Sequence, residues 1–193
     1  MQRLTAAMIS SAFSLAALSQ LAMAPQAMSA VGPDKSWIER SNVYTHMLLD
    51  VHLEHSPEDG SQQGLAKFDD RISNPTLADQ LAERRELEAV LAKIAAARPT
   101  ETNSHVLEDL EILRKAFDLQ FREEDFELQR EVPFNNASEQ IFEGLRILLD
   151  DQTAADRRPA ALVRLRKYAG TEAGYKPFTE LLKILLLFLY FKN

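Results

Sequence analysis

The side chains best suited to holding a metal ion or moving a proton are the four histidines, His46, His52, His55 and His105. None is followed by glutamate, so the sequence lacks the His-Glu-x-x-His motif, in which two imidazoles hold zinc and a carboxylate activates water. His52 and His55 are three residues apart and share one helix face, where Glu58 or Asp59 could complete a metal site. Alternatively, His55 ends a helix whose dipole favours a cationic imidazole. We favour this second interpretation and assign no metal ligand.

Neighbouring carboxylates occur at Asp69-Asp70, Glu123-Glu124-Asp125 and Asp150-Asp151. General acid–base catalysis needs carboxyl groups held at a fixed separation in a cleft, whereas adjacent residues of a helix point in different directions. We therefore expect solvated surfaces here. The sequence also contains no Gly-x-Ser-x-Gly motif and no glycine-rich phosphate loop. On these grounds we assign no catalytic and no cofactor-binding residue.

A local basic patch is formed by Arg157-Arg158 and by Arg164, Arg166 and Lys167 around Tyr168. Such a patch could bind an anionic ligand, but it more often pairs with acids of the same protein, which are in excess here. The net charge of −7 argues against nucleic acid as a partner, because binding phosphates needs clustered lysine and arginine. The absence of cysteine from all 193 residues excludes disulfides, thiolate zinc sites and cysteine nucleophiles.

The elements that must position these residues are all predicted to be helices. Apolar residues recur at helical spacing, and no alternating strand pattern is bounded by turn residues. Proline and cap residues divide the chain, with Ser56-Pro57 and Asn74-Pro75 as predicted helix starts and Ser138 as a cap. The predicted helices cover about residues 37–54, a short stretch that begins at Ser56-Pro57, the chain from Asn74-Pro75 to just before Pro99, the chain from about residues 102–104 until Pro133, the apolar residues 141–149 after the cap, and about residues 157–169. We expect an all-α fold, an irregular bundle of antiparallel helices, over residues 31–183.

Residues 1–30 have the order of a secretory signal peptide, with Arg3 as the one charge, an apolar stretch to Ala24 and then Pro25. Cleavage after Ala24 and after Ala30 are both compatible with the pattern, and we slightly favour Ala30. An uncleaved membrane anchor is the alternative. We expect a bacterial periplasmic or secreted protein with no stable membrane span after cleavage.

The last ten residues, 184–193, differ from the rest, because the run from Ile184 to Phe191 contains no charge. About 20 apolar residues are needed to span a bilayer, so this run is too short. It is either a buried terminal helix or foreign sequence that arose from a frameshift or truncation. We favour the second origin.

Five stretches together resemble the exported bacterial family called domain of unknown function 885. They are LEHSPEDGS (53–61), RISNP (71–75), VPFNNAS (132–138), GLRILLDDQ (144–152) and RLRKYAG (164–170). The resemblance covers residues 37–182 and concerns only the N-terminal portion of a family whose members are much longer. It implies a mostly helical fold like that of zincin metallopeptidases of the oligopeptidase type.

The activity that this resemblance implies is zinc-dependent hydrolysis of peptides. The metal motif of the family, His-Glu-x-x-Pro-Gly-His, has no counterpart in this sequence, so zinc and a peptide substrate are implied only for full-length relatives. We therefore expect an inactive N-terminal fragment of a peptidase-like protein. The alternative is a stand-alone helical binding module in the periplasm.

Overall fold

A computed structural model describes residues 34–130 and 136–183. Most of these residues are helical and none forms a strand, which confirms the predicted all-α class. The predicted signal peptide (1–30) and the apolar tail (184–193) lie outside the described residues. Within the described ranges, no helix is both long enough and apolar enough to cross a membrane.

Six α-helices are labelled here in chain order. They are α1 (Ser36–His55), α2 (Pro57–Gln62), α3 (Leu77–Ala97), α4 (Ser104–Arg130), α5 (Ala137–Leu149) and α6 (Pro159–Tyr168). Single 3-10 turns occur at Ala66–Phe68 and Arg98–Thr100, and residues 178–183 are again helical. These bounds lie within about three residues of the predicted ones, because prolines and glycines mark the ends locally.

Two helix starts differ from the predicted caps. Thr76, not Asn74, caps α3: its backbone is extended and its hydroxyl accepts a hydrogen bond from the amide of Asp79 at 3.3 Å. Asn136, not Ser138, caps α5 by accepting from the amide of Glu139 at 3.2 Å. Both corrections follow from the same rule, since a cap must lie just outside the helix with its oxygen over the first turn.

Helices α1, α3 and α4 form a three-helix bundle around one apolar core. Its buried members are Leu48, Leu87, Val90, Ile94, Val106 and Leu110. The end of α1 meets the start of α3, where His55 contacts Asp79, so these two helices are antiparallel. The start of α1 meets the start of α4, where Trp37 stacks on His105 with ring centroids 4.8 Å apart. Helix α4 therefore returns parallel to α1 and antiparallel to α3.

A second, smaller core lies where α5, α6 and residues 178–183 meet. Tyr168, Phe178 and Leu182 are buried there, and Ile141 and Leu145 of α5 pack against them. The short helix α2 and residues 66–75 contact α5 and α6 mainly through polar groups, and Ile72 packs against the second core. The two cores are thus joined by a polar layer, which contains Glu58, Asp69, Arg157 and Arg164.

Candidate functional site

His52 bridges two helices at the end of α1. Its Nδ1 lies 3.0 Å from Oε1 of Glu83 on α3, and its Nε2 lies 3.0 Å from Oδ2 of Asp59 on α2. The hydrogen bond to Glu83, reinforced by that to Asp59, raises the pKa of His52 although partial burial opposes the shift.

His55, the last residue of α1, makes a second bridge. Its Nδ1 lies 3.1 Å from Oδ2 of Asp79 and its Nε2 lies 3.5 Å from Oε2 of Glu86, both on α3. Burial by itself would lower the pKa of His55, but the hydrogen bond and charge of Asp79 outweigh it and the pKa is raised. The predicted position of His55 at a helix C-terminus is confirmed.

The structure separates the residues of the possible metal site. Asp59 contacts His52, but Glu58 points to other partners and His55 has its own carboxylates. His46 is exposed on α1, and His105 lies beside Trp37 at the opposite end of that helix. Among the described residues, no group of three or more histidine or carboxylate side chains is arranged to hold a metal ion.

Arg164 of the basic patch is fully buried and binds backbone instead of acids. Its guanidinium donates to the carbonyls of Arg71 at 3.0 Å, Gly144 at 2.6 Å and Phe68 at 2.8 Å. Three segments that are distant in the sequence are therefore fixed by one planar group. Sequence reasoning missed this role, because a residue that donates only to main-chain carbonyls has no partner that side-chain patterns reveal.

Other members of the basic patch pair with acids of the same chain, as expected. Arg157 donates to both carboxylate oxygens of Asp69, at 2.7 and 2.6 Å, and to the carbonyl of Ser61 at 2.8 Å. Burial alone would raise the pKa of Asp69, but the hydrogen bonds from Arg157 and Ser61 lower it. Lys167 donates to the carbonyl of Asp70 at 2.6 Å. The prediction that the patch neutralises the protein's own acids is confirmed at Arg157.

The other runs of acids also have structural partners. Arg84 of α3 binds Asp125 at 2.5 Å and lies 3.8 Å from Glu124, which fixes the far end of α4 against α3. Asp150 accepts from the amide of Gln152 at 2.8 Å, just after α5 ends.

Glu58 lies where the polar layer meets a surface cleft. Its carboxylate accepts hydrogen bonds from the hydroxyl of Tyr168 at 2.6 Å and from the amide of Ser73 at 3.0 Å. Burial and the nearby Glu58 charge raise the pKa of Tyr168, so this phenol remains a donor. Gly144 passes directly over the Tyr168 hydroxyl, which a methyl group at that position would overlap. A side chain on Gly144 would therefore displace this carboxylate–phenol pair.

The cleft between α2 and α5 has a volume of about 730 Å³. Four acidic side chains line it, Glu58, Asp59, Glu139 and Glu143, together with uncharged residues that include Ser56, Gln62, Ser73 and Ile147. No lysine or arginine is among the described residues that line it. Glu143 is paired with Arg146, whose Nη2 lies 2.6 Å from Oε2 of Glu143, and Asp59 contacts His52. The remaining negative charge of the cleft is that of Glu58 and Glu139, and it favours a positively charged occupant. The sequence did not reveal this cleft, because its acids come from two helices about 80 residues apart.

Comparison of the chain with protein-family models, with curated proteins and with solved structures finds no match in any of the three.

Proposed function

We propose that this chain is a non-catalytic helical scaffold, the N-terminal portion of an exported protein of the zincin-peptidase type. In this proposal its helices form one wall of a larger fold and present apolar faces on which the remainder of that protein packs.

The observation that carries this proposal is the outer face of α4. Ile112, Leu119 and Phe126 follow each other at intervals of seven residues and are 57%, 51% and 57% exposed. The opposite face of the same helix packs on α1 and α3. A helix that is apolar on two faces is typical of a position between two layers. Phe142 and Leu149 on α5, and Leu162 and Leu165 on α6, are exposed in the same way.

The convergence of the resembling stretches also supports the proposal. Residues 53–61, 71–75, 144–152 and 164–170 meet around Arg164 and Glu58, where each provides at least one partner of a buried polar contact. These contacts satisfy buried polar groups and hold distant segments of the chain together. This matches a scaffold better than a reaction centre.

Dye binding tests the apolar faces. We expect the purified chain to bind an apolar fluorescent dye strongly, and the double variant Leu119→Gln, Phe126→Gln to bind less dye with unchanged helix content. The matched control is Glu108→Gln, an exposed change on the same helix that should leave the dye signal unchanged. Equal dye binding by the double variant and the wild type would count against an unpartnered α4 face.

The nucleotide sequence downstream of codon 183 tests the proposal that the chain is part of a larger protein. The proposal expects another reading frame to continue there and to encode a His-Glu zinc motif. The proposal also expects no peptidase activity from the present chain. Zinc-dependent cleavage of peptides by the purified chain, lost on chelation and restored by zinc, would contradict it.

A second candidate, a stand-alone binding module in the periplasm, is favoured by the acidic cleft. Its charge suits a cationic peptide segment. We expect trilysine, but not triglutamate, to bind in a calorimetric titration, and Glu139→Gln with Glu143→Gln to weaken binding. Glu108→Gln again serves as the control. Cooperative unfolding together with this selectivity would favour the module over the scaffold.

A further inference from the structure

The two histidine bridges lie side by side at the junction of α1, α2 and α3. His52 joins α1 to both α2 and α3, and His55 joins α1 to α3. Helix α2 forms one wall of the acidic cleft and contributes Asp59, the carboxylate that His52 contacts. The protonation of His52 is thus connected by direct contact to a group that lines the cleft.

We propose that His52 and His55 form a pH-sensitive latch: while both imidazoles are protonated, His52 fastens Asp59 of α2 to α1 and α3 and His55 fastens α1 to α3, and each neutral ring releases one carboxylate. At His52 the released group is Asp59, because its side chain is 52% exposed and that of Glu83 is 23% exposed. Helix α2 itself remains held by Glu58 and Ser61. The protonation state of the two imidazoles would therefore set the local stability of α2 and the negative charge that the cleft presents.

The geometry requires protonated rings in the closed latch. Both nitrogens of His52 face carboxylate oxygens, and so do both nitrogens of His55. A carboxylate only accepts hydrogen bonds, and a neutral imidazole carries one N–H, whereas the imidazolium carries two. Loss of a proton therefore places a nitrogen lone pair against a carboxylate in each bridge. One contact per ring must then open or recruit water.

The charges around the latch come from all elements packed against it. Helix α2 contributes Asp59, and α3 contributes Asp79, Glu83 and Glu86. On α1 itself, Glu54 is paired with Arg71, whose Nη1 lies 2.8 Å from Oε2 of Glu54. Helix α4 contacts the other half of α1, where Asp109 accepts from Ser41 and Glu101 lies 3.9 Å from Arg40. The groups that act directly on the two imidazoles are therefore carboxylates, which all favour the protonated state.

The direction of the pH dependence follows from these contacts. The pKa values of both histidines are raised above their ordinary value of 6.5. A group with a raised pKa in the folded state contributes stability that is complete below the pKa of the unfolded chain and is lost as the pH rises through the folded pKa. The latch is thus closed in mildly acidic solution and opens as the pH rises through the raised pKa values of the two imidazoles. His55, with a side chain 12% exposed, should contribute more than His52, at 44%.

Nuclear magnetic resonance of the full chain tests the latch through the titration of each imidazole. We expect both His52 and His55 to titrate above the ordinary histidine pKa of 6.5. Amide exchange of residues 58–62, corrected for its intrinsic pH dependence, should accelerate about threefold to tenfold across that titration. Titration midpoints of His52 and His55 at or below 6.5 would overturn the proposal, as would unchanged exchange at 58–62 while His52 loses its proton.

Variants separate the latch from a general effect of pH. His52→Gln should make exchange at 58–62 fast at all pH values from 6 to 8, and His46→Gln should leave the wild-type pH dependence intact. If His52→Gln does not fold, the wild-type titration and exchange data decide the question alone. A full pH dependence that persists in folded His52→Gln and His55→Gln would refute the latch.

Discussion

Arg164 has a structural role that could not be predicted from its residue type. In the sequence it belongs to a basic patch, yet its three hydrogen bonds all end on carbonyls of residues 68, 71 and 144. Buried carbonyls without donors destabilise a fold, so a cation with several fixed N–H groups is well suited to this position. The charge is a consequence of needing these donors, and no anionic ligand is required to explain it.

Replacement of Arg164 by methionine tests this role. Arg164→Met removes the donors of three buried carbonyls, and we expect the free energy of unfolding to fall by about 3 kcal/mol or more. The measurement is urea unfolding followed by circular dichroism. The control is Arg166→Met, an exposed position on the same helix, with an expected change within about 0.5 kcal/mol. Similar losses for the two variants would show that the three contacts contribute little.

The histidines show a different limit of sequence-based prediction, because the sequence did not identify their partners. Their spacing indicated a shared helix face, and their residue types allowed either a metal or a helix-end cation. The nearby carboxylates decide between these uses, and Asp79, Glu83 and Glu86 come from α3, more than 20 residues further along the chain. Only the packing of α1 on α3 could reveal them.

At the scale of elements, the end of α6 shows why helix boundaries were predictable. Gly170 has φ +68°, and its amide and that of Thr171 bond back to the carbonyls of Lys167 and Arg166. This left-handed position favours glycine and ends the helix. The signal is local, so the sequence contains it. The close approach of Pro177 to Gly170 is not local, because it depends on the turn that follows.

Two alanine variants distinguish the backbone from the contact. Gly174 also has a positive φ, of 86°, but no atom lies where its Cβ would be, so Gly174→Ala should cost about 1 kcal/mol from backbone strain. Gly170→Ala should cost about 1–3 kcal/mol more, because the new methyl group overlaps the backbone nitrogen and Cδ of Pro177. Thermal unfolding of both variants measures the difference. Equal costs would mean that the Pro177 segment moves away freely.

At the scale of the whole molecule, a polar layer joins the two apolar cores. Asp69 and Arg157 form its most buried ion pair, and the hydroxyl of Ser61 also donates to Asp69. The hydrogen bond from Tyr168 to Glu58 connects α6 to α2. Buried ion pairs need complete hydrogen bonding, since an unpaired charge away from water is costly. Every carboxylate oxygen of Asp69 has a donor here. The relation between the two cores is therefore set by a few polar contacts.

Acid should weaken the contact between Asp69 and Arg157 in the polar layer. The lowered pKa of Asp69 means that its contribution is present above its ordinary value of 3.8 and is lost as the pH falls through the folded pKa. Asp69→Asn should reduce the free energy of unfolding at pH 7 by about 2–3 kcal/mol. Between pH 7 and pH 3, the variant should also lose less free energy of unfolding than the wild type does.

The adjacent Asp70 provides the control, because its side chain is 58% exposed and Lys167 binds its backbone carbonyl. Asp70→Asn should keep both the neutral-pH stability and the acid dependence of the wild type. Urea unfolding between pH 3 and pH 7 measures the three proteins. An acid dependence that is the same in Asp69→Asn and the wild type would exclude the contact between Asp69 and Arg157 as its source.

The helical class and the approximate ends of the helices could be predicted from the residues alone. Helical periodicity, caps and prolines act over one or two turns, so these properties are written into neighbouring residues. The tertiary structure decided the partners of Arg164, the bridges of His52 and His55, and the acidic cleft. It also decided that Phe142 and Leu149 stay exposed, although they continue the apolar side of α5. These outcomes depend on which helices meet, and charge and apolar side chains act through space on residues that the chain order keeps far apart.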